Sequence, residues 1–254
     1  MQNYDANPLK RFSNRVDNYI KYRPDYPDEI IDLFINELKL NPGSIIADIG
    51  SGTGIFTELL LKNNFTAYAI EPNNEMREAA ERLLSGYSNF TSVNGSAEVT
   101  GLETHSMDLI TSAQAFHWFN PEKAKIEFKR ILKDNGWAAL IWNSRIINSD
   151  KFMIEYENLL LKFSVEYSLV NHTNLNKKLF DIFYHDYKVA NFPNKQSFDF
   201  EGLKGRLLSS SYAPDEKSPS YIPMINKLND IFRECEQNGK VHFLYNTEVY
   251  YGKL

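Results

Sequence analysis

Short apolar runs alternate with amphipathic helical patterns through residues 44–143. The strand candidates are the segments 44–50, 66–72, 90–93, 107–114 and 136–143, and the first of them, SIIADIG, is rich in isoleucine and ends in glycine. Continuous apolar runs of this kind are typical of buried parallel strands. Alternation of strand and helix requires right-handed crossovers and a sheet covered by helices on both faces. The sequence therefore predicts a doubly wound, Rossmann-like α/β fold.

Two of the intervening segments have clear helical spacing. Between the second and third strands, apolar residues recur at i, i+3, i+4, i+7 and i+8 from Met76 to Leu84, while charged residues fill the other face. Between the fourth and fifth strands, Pro121 suits the first turn of a helix, and Asn135-Gly136 is expected to end it.

The pattern changes after Asn143. Helices are predicted for 151–184, 202–211 and 220–237, and strands for 187–200, with an interruption near Pro193, and for 241–254. In the simplest arrangement the late strands extend a mostly parallel sheet, one of them antiparallel, and the helices cover its carboxyl edge, where open α/β sheets bind ligands. We therefore divide the chain into an N-terminal helical segment, 1–43, a binding core, 44–145, and a cover with the final strands, 146–254.

Composition narrows the functional class. The chain has 254 residues, 28 Lys and Arg against 33 Asp and Glu, and a formal net charge of −5, so it lacks the basic surplus of a typical nucleic-acid-binding protein. The chain has one cysteine, which argues against a disulfide framework. No group of Cys and His residues in the sequence has the spacing of zinc ligands, which argues against a bound metal. A polar N-terminus and the lack of a long apolar run lead us to expect a cytoplasmic protein without a membrane span.

A glycine-rich turn follows the first strand. The sequence Asp48-Ile-Gly50-Ser-Gly52-Thr-Gly54 lets the backbone turn tightly and come close to a ligand at a helix N-terminus. Glu71 ends the second strand, where an acid can accept hydrogen bonds from both hydroxyls of a ribose. An adenosine-like ligand is expected. The dinucleotide fingerprint GxGxxG is incomplete because Ile55 occupies its sixth position, which disfavours an NAD-dependent oxidoreductase.

These two motifs and three further segments resemble the class I S-adenosylmethionine-dependent methyltransferases, particularly the type 11 small-molecule enzymes and trans-aconitate methyltransferase-like proteins. The further segments are Gly95-Ser-Ala-Glu98, MDLITSAQAFHWF at 107–119 and RILKDNGWAALIWN at 130–143. Segments before the first strand (FSNRVDNYIKYRPDYP) and late in the chain (GRLLSSSY, YNTEVYYGKL) are also similar to type 11 proteins. The resemblance covers most of the chain and implies S-adenosylmethionine as the cofactor and a small-molecule acceptor.

The resemblance also implies a set of contacts. The glycine turn packs against the methionine part of the cofactor, Glu71 binds the ribose, the loop after the third strand contacts the adenine, and the segment 1–43 covers the cofactor. The cofactor-binding residues expected in this way are Tyr22, Arg23, Asp48, Gly50, Ser51, Gly52, Gly54, Glu71, Pro72, Asn73, Met76, Ser96, Ala97, Glu98 and Gln114.

Catalytic and acceptor-binding residues are expected at the ends of the fourth and fifth strands. His117, as a base near neutral pH, and Arg145 are the catalytic candidates, and Trp118, Asn143 and Tyr212 are the acceptor-binding candidates. Each has a plain alternative, such as a packed loop histidine or a polar strand-end turn. A carboxylate acceptor would need no base because it is ionised at pH 7, and it would pair with arginine. Carboxyl O-methylation is therefore our leading hypothesis, with Arg23, Arg145 and Arg206 as partners.

Other functions remain open. A nucleic-acid methyltransferase would share the fold, but the fourth motif lacks the Asp/Asn-Pro-Pro-aromatic tetrad of base N-methylating relatives, and Cys235 is far from the position of a cytosine-attacking thiol. A non-catalytic module that binds S-adenosylmethionine would keep the same glycines and Glu71. We expect a monomer or a homodimer.

Overall fold

A computed structural model describes residues 20–164, 167, 180, 183–210 and 212–254 of the chain. Seven strands were found in these residues, and they form one sheet. In chain order they are β1 (Ile45–Ile49), β2 (Thr66–Ile70), β3 (Phe90–Val93), β4 (Met107–Ala113), β5 (Leu132–Arg145), β6 (Asp186–Phe198) and β7 (Val241–Lys253).

Helices fill most of the connections between these strands. They are α1 (Glu29–Asn36), α2 (Ile55–Lys62), α3 (Asn74–Leu83), α4 (Pro121–Ile131), α5 (Lys151–Phe163), α6 (Phe200–Leu208) and α7 (Tyr221–Cys235), with a short 3₁₀ helix at Phe116–Trp118. Residues 20–22 are also helical. Within the described residues, no helix combines the length and the apolar character that crossing a membrane would require.

The strand order is β3-β2-β1-β4-β5-β7-β6. Strands β1 to β5 pair in parallel, and β7 is antiparallel to both of its neighbours. The order reverses between β1 and β4, and open sheets of this kind bind ligands at the carboxyl ends of the strands beside such a reversal. The predicted doubly wound sheet with an antiparallel late strand is therefore confirmed.

Alternate residues of the strands enter two separate core clusters. On one face Ile46, Leu109 and Ile141 pack in a cluster that also contains buried residues of α1 and α2, which include Phe34 and Phe56. On the other face Ala47, Ile110, Leu140 and Trp142 pack in a cluster with Phe128 of α4 and with Phe180, Phe183 and Tyr184. This alternation follows from the two-residue period of a strand. Because α1 belongs to the first of these clusters, residues 29–36 form part of the hydrophobic core. Coverage of the cofactor by the segment 1–43 stays a prediction.

A third cluster holds the cover. Helices α5, α6 and α7 pack against the first residues of β7, Val241, Phe243 and Tyr245. Because β7 runs antiparallel to β5, these residues lie beside the carboxyl end of β5, where Tyr245 pairs with Arg145. The cover therefore stands next to the edge at which a ligand is expected.

Three predicted boundaries differ from the structure. Helix α4 ends at Ile131 instead of continuing to Asn135-Gly136, because Leu132 is extended and pairs with Met107 of β4. The pairing register of β5 with β4 then shifts, and it resumes where Trp137 pairs with Leu109. Strand β6 continues through Pro193, since β6 is an edge strand whose only partner in the described sheet is β7, and proline is tolerated at an edge.

The third difference concerns the long helical prediction 151–184. Helix α5 ends at Phe163 and the next residue, Ser164, is extended. Most of the remaining stretch lies outside the described residues, so the continuation of the helix stays a prediction.

Candidate active site

The turn between β1 and α2 has the backbone that its glycines predict. Gly50, Gly52 and Gly54 all have positive φ angles, of 70°, 57° and 85°. A Cβ at Gly50 would lie 2.5 Å from the Ala115 Cβ, and one at Gly54 would lie 2.7 Å from Leu84, so these two glycines allow close packing of neighbouring elements. A Cβ at Gly52 would meet nothing within 4 Å. The open space beside the turn is therefore at Gly52.

Asp48, at the start of this turn, is buried and hydrogen-bonded to two neighbouring elements. Its side chain is 1% exposed, and its carboxylate accepts hydrogen bonds from the hydroxyls of Thr57 at 2.6 Å and Thr111 at 3.0 Å. Burial raises the pKa of Asp48 to about 6, against the opposing effect of the two threonine hydrogen bonds. The carboxylate thus links β1 to α2 and β4. Direct contact of Asp48 with the cofactor stays a prediction, and its observed bonds indicate that it holds the turn in place.

Glu71 connects the glycine turn to the end of β2. Its Oε2 accepts from the Gly52 N–H at 2.9 Å and its Oε1 accepts from the Asn73 N–H at 2.8 Å. Burial raises the pKa of this carboxyl, while the two backbone N–H groups and Arg77 act in the opposite direction. The two backbone bonds fix the carboxylate beside the open space at Gly52, and each oxygen has a second lone pair for a ligand hydroxyl.

The residues after Glu71 begin α3. Pro72 is exposed, Asn73 is the N-cap, whose side chain accepts from the Met76 N–H at 2.9 Å, and Met76 is buried. An N-cap of this type satisfies a donor that the helix leaves unpaired. The visible role of Asn73 is therefore to start the helix next to Glu71, and cofactor contacts of these three residues stay predictions.

The loop after β3 lies next to the start of α4. The Ser96 hydroxyl accepts from the Glu98 and Val99 N–H groups, both at 3.3 Å, and Ala97 is buried. Glu98 accepts from the Asn120 N–H at 2.8 Å. The acid predicted to contact adenine thus joins this loop to the N-cap residue of α4.

The end of β4 turns sharply into the 3₁₀ helix. Gln114 has a φ of 59°, and its side-chain amide donates to the Asn143 carbonyl at 3.3 Å, which ties the ends of β4 and β5 together. His117 and Trp118 follow, half-buried, with their ring centroids 4.7 Å apart. The structure places these residues at the carboxyl edge of the sheet, and the cofactor, catalytic and acceptor roles of Gln114, His117 and Trp118 stay predictions.

The N-terminal segment docks between the sheet and the cover. Asn143 donates to the Asp25 carbonyl at 3.2 Å, and its Oδ1 accepts from the Thr247 hydroxyl and from Asn194. Arg23 donates to the Ser209 carbonyl at 3.2 Å. The predicted acceptor-binding residue Asn143 therefore organises the segment that carries Arg23.

Tyr22 packs against α6 in the same segment. A Cβ at Gly205 would lie 2.1 Å from the Tyr22 ring, so this glycine is what lets the ring lie on the helix. The Tyr22 carbonyl accepts from the Gln196 side chain at 3.3 Å.

Arg145, at the end of β5, lies among tyrosines. Its Nη2 donates to Glu157 at 2.8 Å and to the Tyr167 hydroxyl, which itself donates to Glu157. Its Nη1 is buried and makes no hydrogen bond to any described residue. The Tyr212 ring lies 4.9 Å from the Tyr167 ring. The structure thus brings the predicted residues Arg145 and Tyr212 to one place.

Arg206 of α6 joins this group. It is 5% exposed and donates to the Ser210 hydroxyl at 3.2 Å. Burial opposes ionisation of Tyr212, but the positive charges of Arg145, Arg206 and Arg23, with a hydrogen bond from Ser210, hold the pKa of Tyr212 below its usual value. Arginine charge therefore dominates this part of the molecule.

Sequence reasoning missed Tyr156, Glu157 and Tyr167 in this group. The available signal was Glu157, which lies four residues after Met153 and three before Leu160 and so shares the apolar face of α5 with these two buried residues. A charged residue in such a position is usually paired with an opposite charge.

Comparison with known proteins agrees with this geometry. Residues 47–140 match the family model described as a methyltransferase domain. A methyltransferase of Schizosaccharomyces pombe is 30% identical over 250 residues, which cover 95% of this chain and 96% of the relative. A second methyltransferase-like protein of that yeast is 38% identical over 138 residues, and there the match spans 53% of the relative.

The fold also matches solved structures. A methyltransferase from an antibiotic biosynthesis pathway of Anabaena variabilis superposes with a TM-score of 0.64 at 21% identity, covering 92% of this chain and 99% of the other. The chain belongs to the class I S-adenosylmethionine-dependent methyltransferases. Assignment to the trans-aconitate-like branch stays a prediction.

The site of this methyltransferase fits the cofactor of its family. The Ser51 hydroxyl, in the glycine turn, has a buried oxygen without a hydrogen-bond partner among the described residues, and the adjacent Gly52 faces open space. Glu71 stands beside both. A polar, open cradle with a fixed carboxylate suits a nucleoside with a ribose diol. We therefore expect Ser51, Gly52 and Glu71 to hold the cofactor.

Proposed function

We propose that this methyltransferase transfers a methyl group to a carboxylate oxygen of a small organic acid. The observation that carries the proposal is the Arg145 guanidinium at the carboxyl end of β5, whose buried Nη1 has no hydrogen-bond partner in the described part of the chain. A guanidinium with an unused N–H group matches the oxygens of a carboxylate.

The position of Arg145 supports an acceptor role. Arg145 follows Asn143 by two residues, and the Asn143 carbonyl is bonded to Gln114 at the end of β4. The arginine therefore stands on the strand next to β4, at the edge that carries the glycine turn and Glu71.

A carboxylate acceptor also simplifies the chemistry. S-adenosylmethionine, when bound, supplies a methyl group on a cationic sulfur, and its transfer forms an oxygen–carbon bond, breaks the sulfur–carbon bond and leaves a neutral thioether. No proton is released, since a carboxylate is ionised at neutral pH. The task of the chain is then to orient the two reactants and to exclude water, which alone gives large rate gains. The base role predicted for His117 is not required for such an acceptor.

The test is an acceptor screen with S-adenosylmethionine that carries a deuterated methyl group. The panel contains small carboxylic acids, amines and phenols, and mass spectrometry detects the labelled product. We expect the label on the acids. The labelled products should be hydrolysed by mild base, as esters are. Arg145→Met should raise the acceptor KM about tenfold or more, the effect of losing a charge-assisted hydrogen bond.

Arg233→Met is the matched control, because Arg233 is exposed on α7. Its KM should equal that of the unchanged protein. Label found only on amines or phenols would contradict the proposal, and so would an Arg145→Met variant with an unchanged KM for the acid.

A further inference from the structure

The outer face of helix α5 is exposed and partly apolar. Its inner face carries buried residues of the third cluster, such as Met153 and Leu160. On the opposite side Ile154 is 44% exposed and Leu161 is 59% exposed, and the exposed Asn158 lies between them. A single exposed apolar residue needs no explanation, but several on one face of a helix mark an interaction surface.

The spacing of these residues is that of paired helices. Ile154, Asn158 and Leu161 are separated by four and then three residues, so they form one row along α5, which we call the α5 row. This is the spacing of the seam in a coiled coil. A polar residue within such a seam, here Asn158, fixes the register of two packed helices. The α5 row therefore fits another α-helix as its partner.

Two charged side chains lie on one flank of the α5 row. They are Glu155 and Lys162, each of which directly follows an apolar residue of the row. Neither forms an ion pair with any residue that the structure describes, whereas Lys151, at the start of the same helix, pairs with Glu234 of α7 at 3.0 Å. The flank thus offers one acid and one base to a partner.

The α5 row and its charges are complementary to themselves. A two-fold axis at Asn158 makes the α5 helices of two copies antiparallel, and Ile154 of one copy then lies against Leu161 of the other. The flanks also meet, so Glu155 of one copy lies against Lys162 of the other. A parallel pair would instead place each charge beside its own kind, which is unfavourable.

We propose that α5 forms the interface of a homodimer, in which the α5 rows of two copies pack antiparallel about a two-fold axis at Asn158. The two Asn158 amides meet at the axis, where each can donate to the other. The helix has 13 residues and is about 20 Å long, so the contact is small for a protein interface and the dimer should dissociate in the micromolar range. This inference does not depend on the identity of the methyl acceptor.

Sedimentation equilibrium of the full chain over a concentration series tests the interface. We expect the average mass to rise from the 29.5 kDa of one chain toward twice that value at high micromolar concentration. Leu161→Asp should keep the mass of one chain throughout the series, because it would bury a charge in the interface. Ile126→Asp is the matched control, since Ile126 is 71% exposed on α4, and this variant should dimerise as the unchanged protein does.

Reversal of charge tests the orientation. Lys162→Glu should weaken the dimer about tenfold or more, because two contacts between acid and base become contacts between two acids. The further change Glu155→Lys in the same chain should restore the dimer, since the exchange recreates both contacts. Far-ultraviolet circular dichroism equal to that of the unchanged protein shows that each variant is folded.

The mass of one chain throughout the series in the unchanged protein would overturn the inference, and so would a dimer that persists in Leu161→Asp. A dimer that Lys162→Glu does not weaken, or that the exchange of both charges does not restore, would contradict the antiparallel arrangement.

Discussion

At the scale of single residues, two buried carboxylates next to the glycine turn have different tasks. Asp48 is enclosed and bonded to two threonine hydroxyls, whereas Glu71 is bonded to two backbone N–H groups beside open space. The sequence showed both acids at strand ends. It could not show which of them faces a ligand, because that depends on Thr111 of a strand 63 residues away along the chain.

The enclosure of Asp48 predicts a pH dependence of stability. Its pKa in the folded chain, about 6, is above the value near 4 of an unfolded aspartate. The folded chain therefore holds the Asp48 proton more tightly than the unfolded chain does. The contribution of Asp48 to the free energy of unfolding falls by about 3 kcal/mol as pH rises from about 4 to about 6. Above about pH 6 this contribution is constant.

Asp48→Asn should remove this contribution. Denaturant unfolding between pH 4 and 7 measures the free energy of unfolding of the variant and of the unchanged protein. The free energy of the variant should rise relative to that of the unchanged protein as pH rises. Asp230→Asn, at an exposed site on α7, is the control and should show a constant difference. Parallel pH profiles for Asp48→Asn and the unchanged protein would refute the assignment.

At the scale of elements, the docking of the N-terminal segment depends on one glycine of α6. Gly205→Ala would place a methyl group 2.1 Å from the Tyr22 ring and should destabilise the protein by about 1–3 kcal/mol, the range for overpacked sites. In a Tyr22→Ala background the same change should be neutral or stabilising by up to about 1 kcal/mol, since alanine is the better helix former.

A double-mutant cycle from denaturant unfolding measures this coupling. Gly86→Ala is a suitable control, because a Cβ there meets nothing within 4 Å. An equal cost of Gly205→Ala with and without the tyrosine would show that Tyr22 does not rest on α6.

Elements were predictable where their pattern is local. The first four strands and the helix after Asn73 follow from apolar periodicity, and Pro121 begins α4 as expected. The start of β5 at Leu132 was not predictable, because it depends on pairing with Met107 in another strand. The continuity of β6 through Pro193 likewise follows from its place at the sheet edge, which the local sequence does not contain.

At the scale of the whole molecule, the sheet edge joins two regions whose ionisable side chains have opposite charge. The cofactor cradle, at β1 and β2, contains acids, while the end of β5 contains Arg145 and the cover beside it contains the buried Arg206. The first was predictable because glycine turns and strand-end acids form a local signature. The second was not fully predictable, since Arg206 follows Arg145 by 61 residues and Tyr156 by 50. Only the packing of α5 and α6 on β7 brings these side chains together.

The cofactor cradle is the part of this account on which the proposed function depends. Calorimetric titration with S-adenosylhomocysteine and with NAD, on the unchanged protein, Glu71→Ala and the exposed control Glu75→Ala, tests it most directly. We predict that the unchanged protein binds S-adenosylhomocysteine and does not bind NAD. Glu71→Ala should bind S-adenosylhomocysteine about 10- to 100-fold more weakly, because hydrogen bonds to a charged group are lost. Glu75→Ala should bind it with unchanged affinity. Binding of NAD alone, or full affinity in Glu71→Ala, would contradict the account.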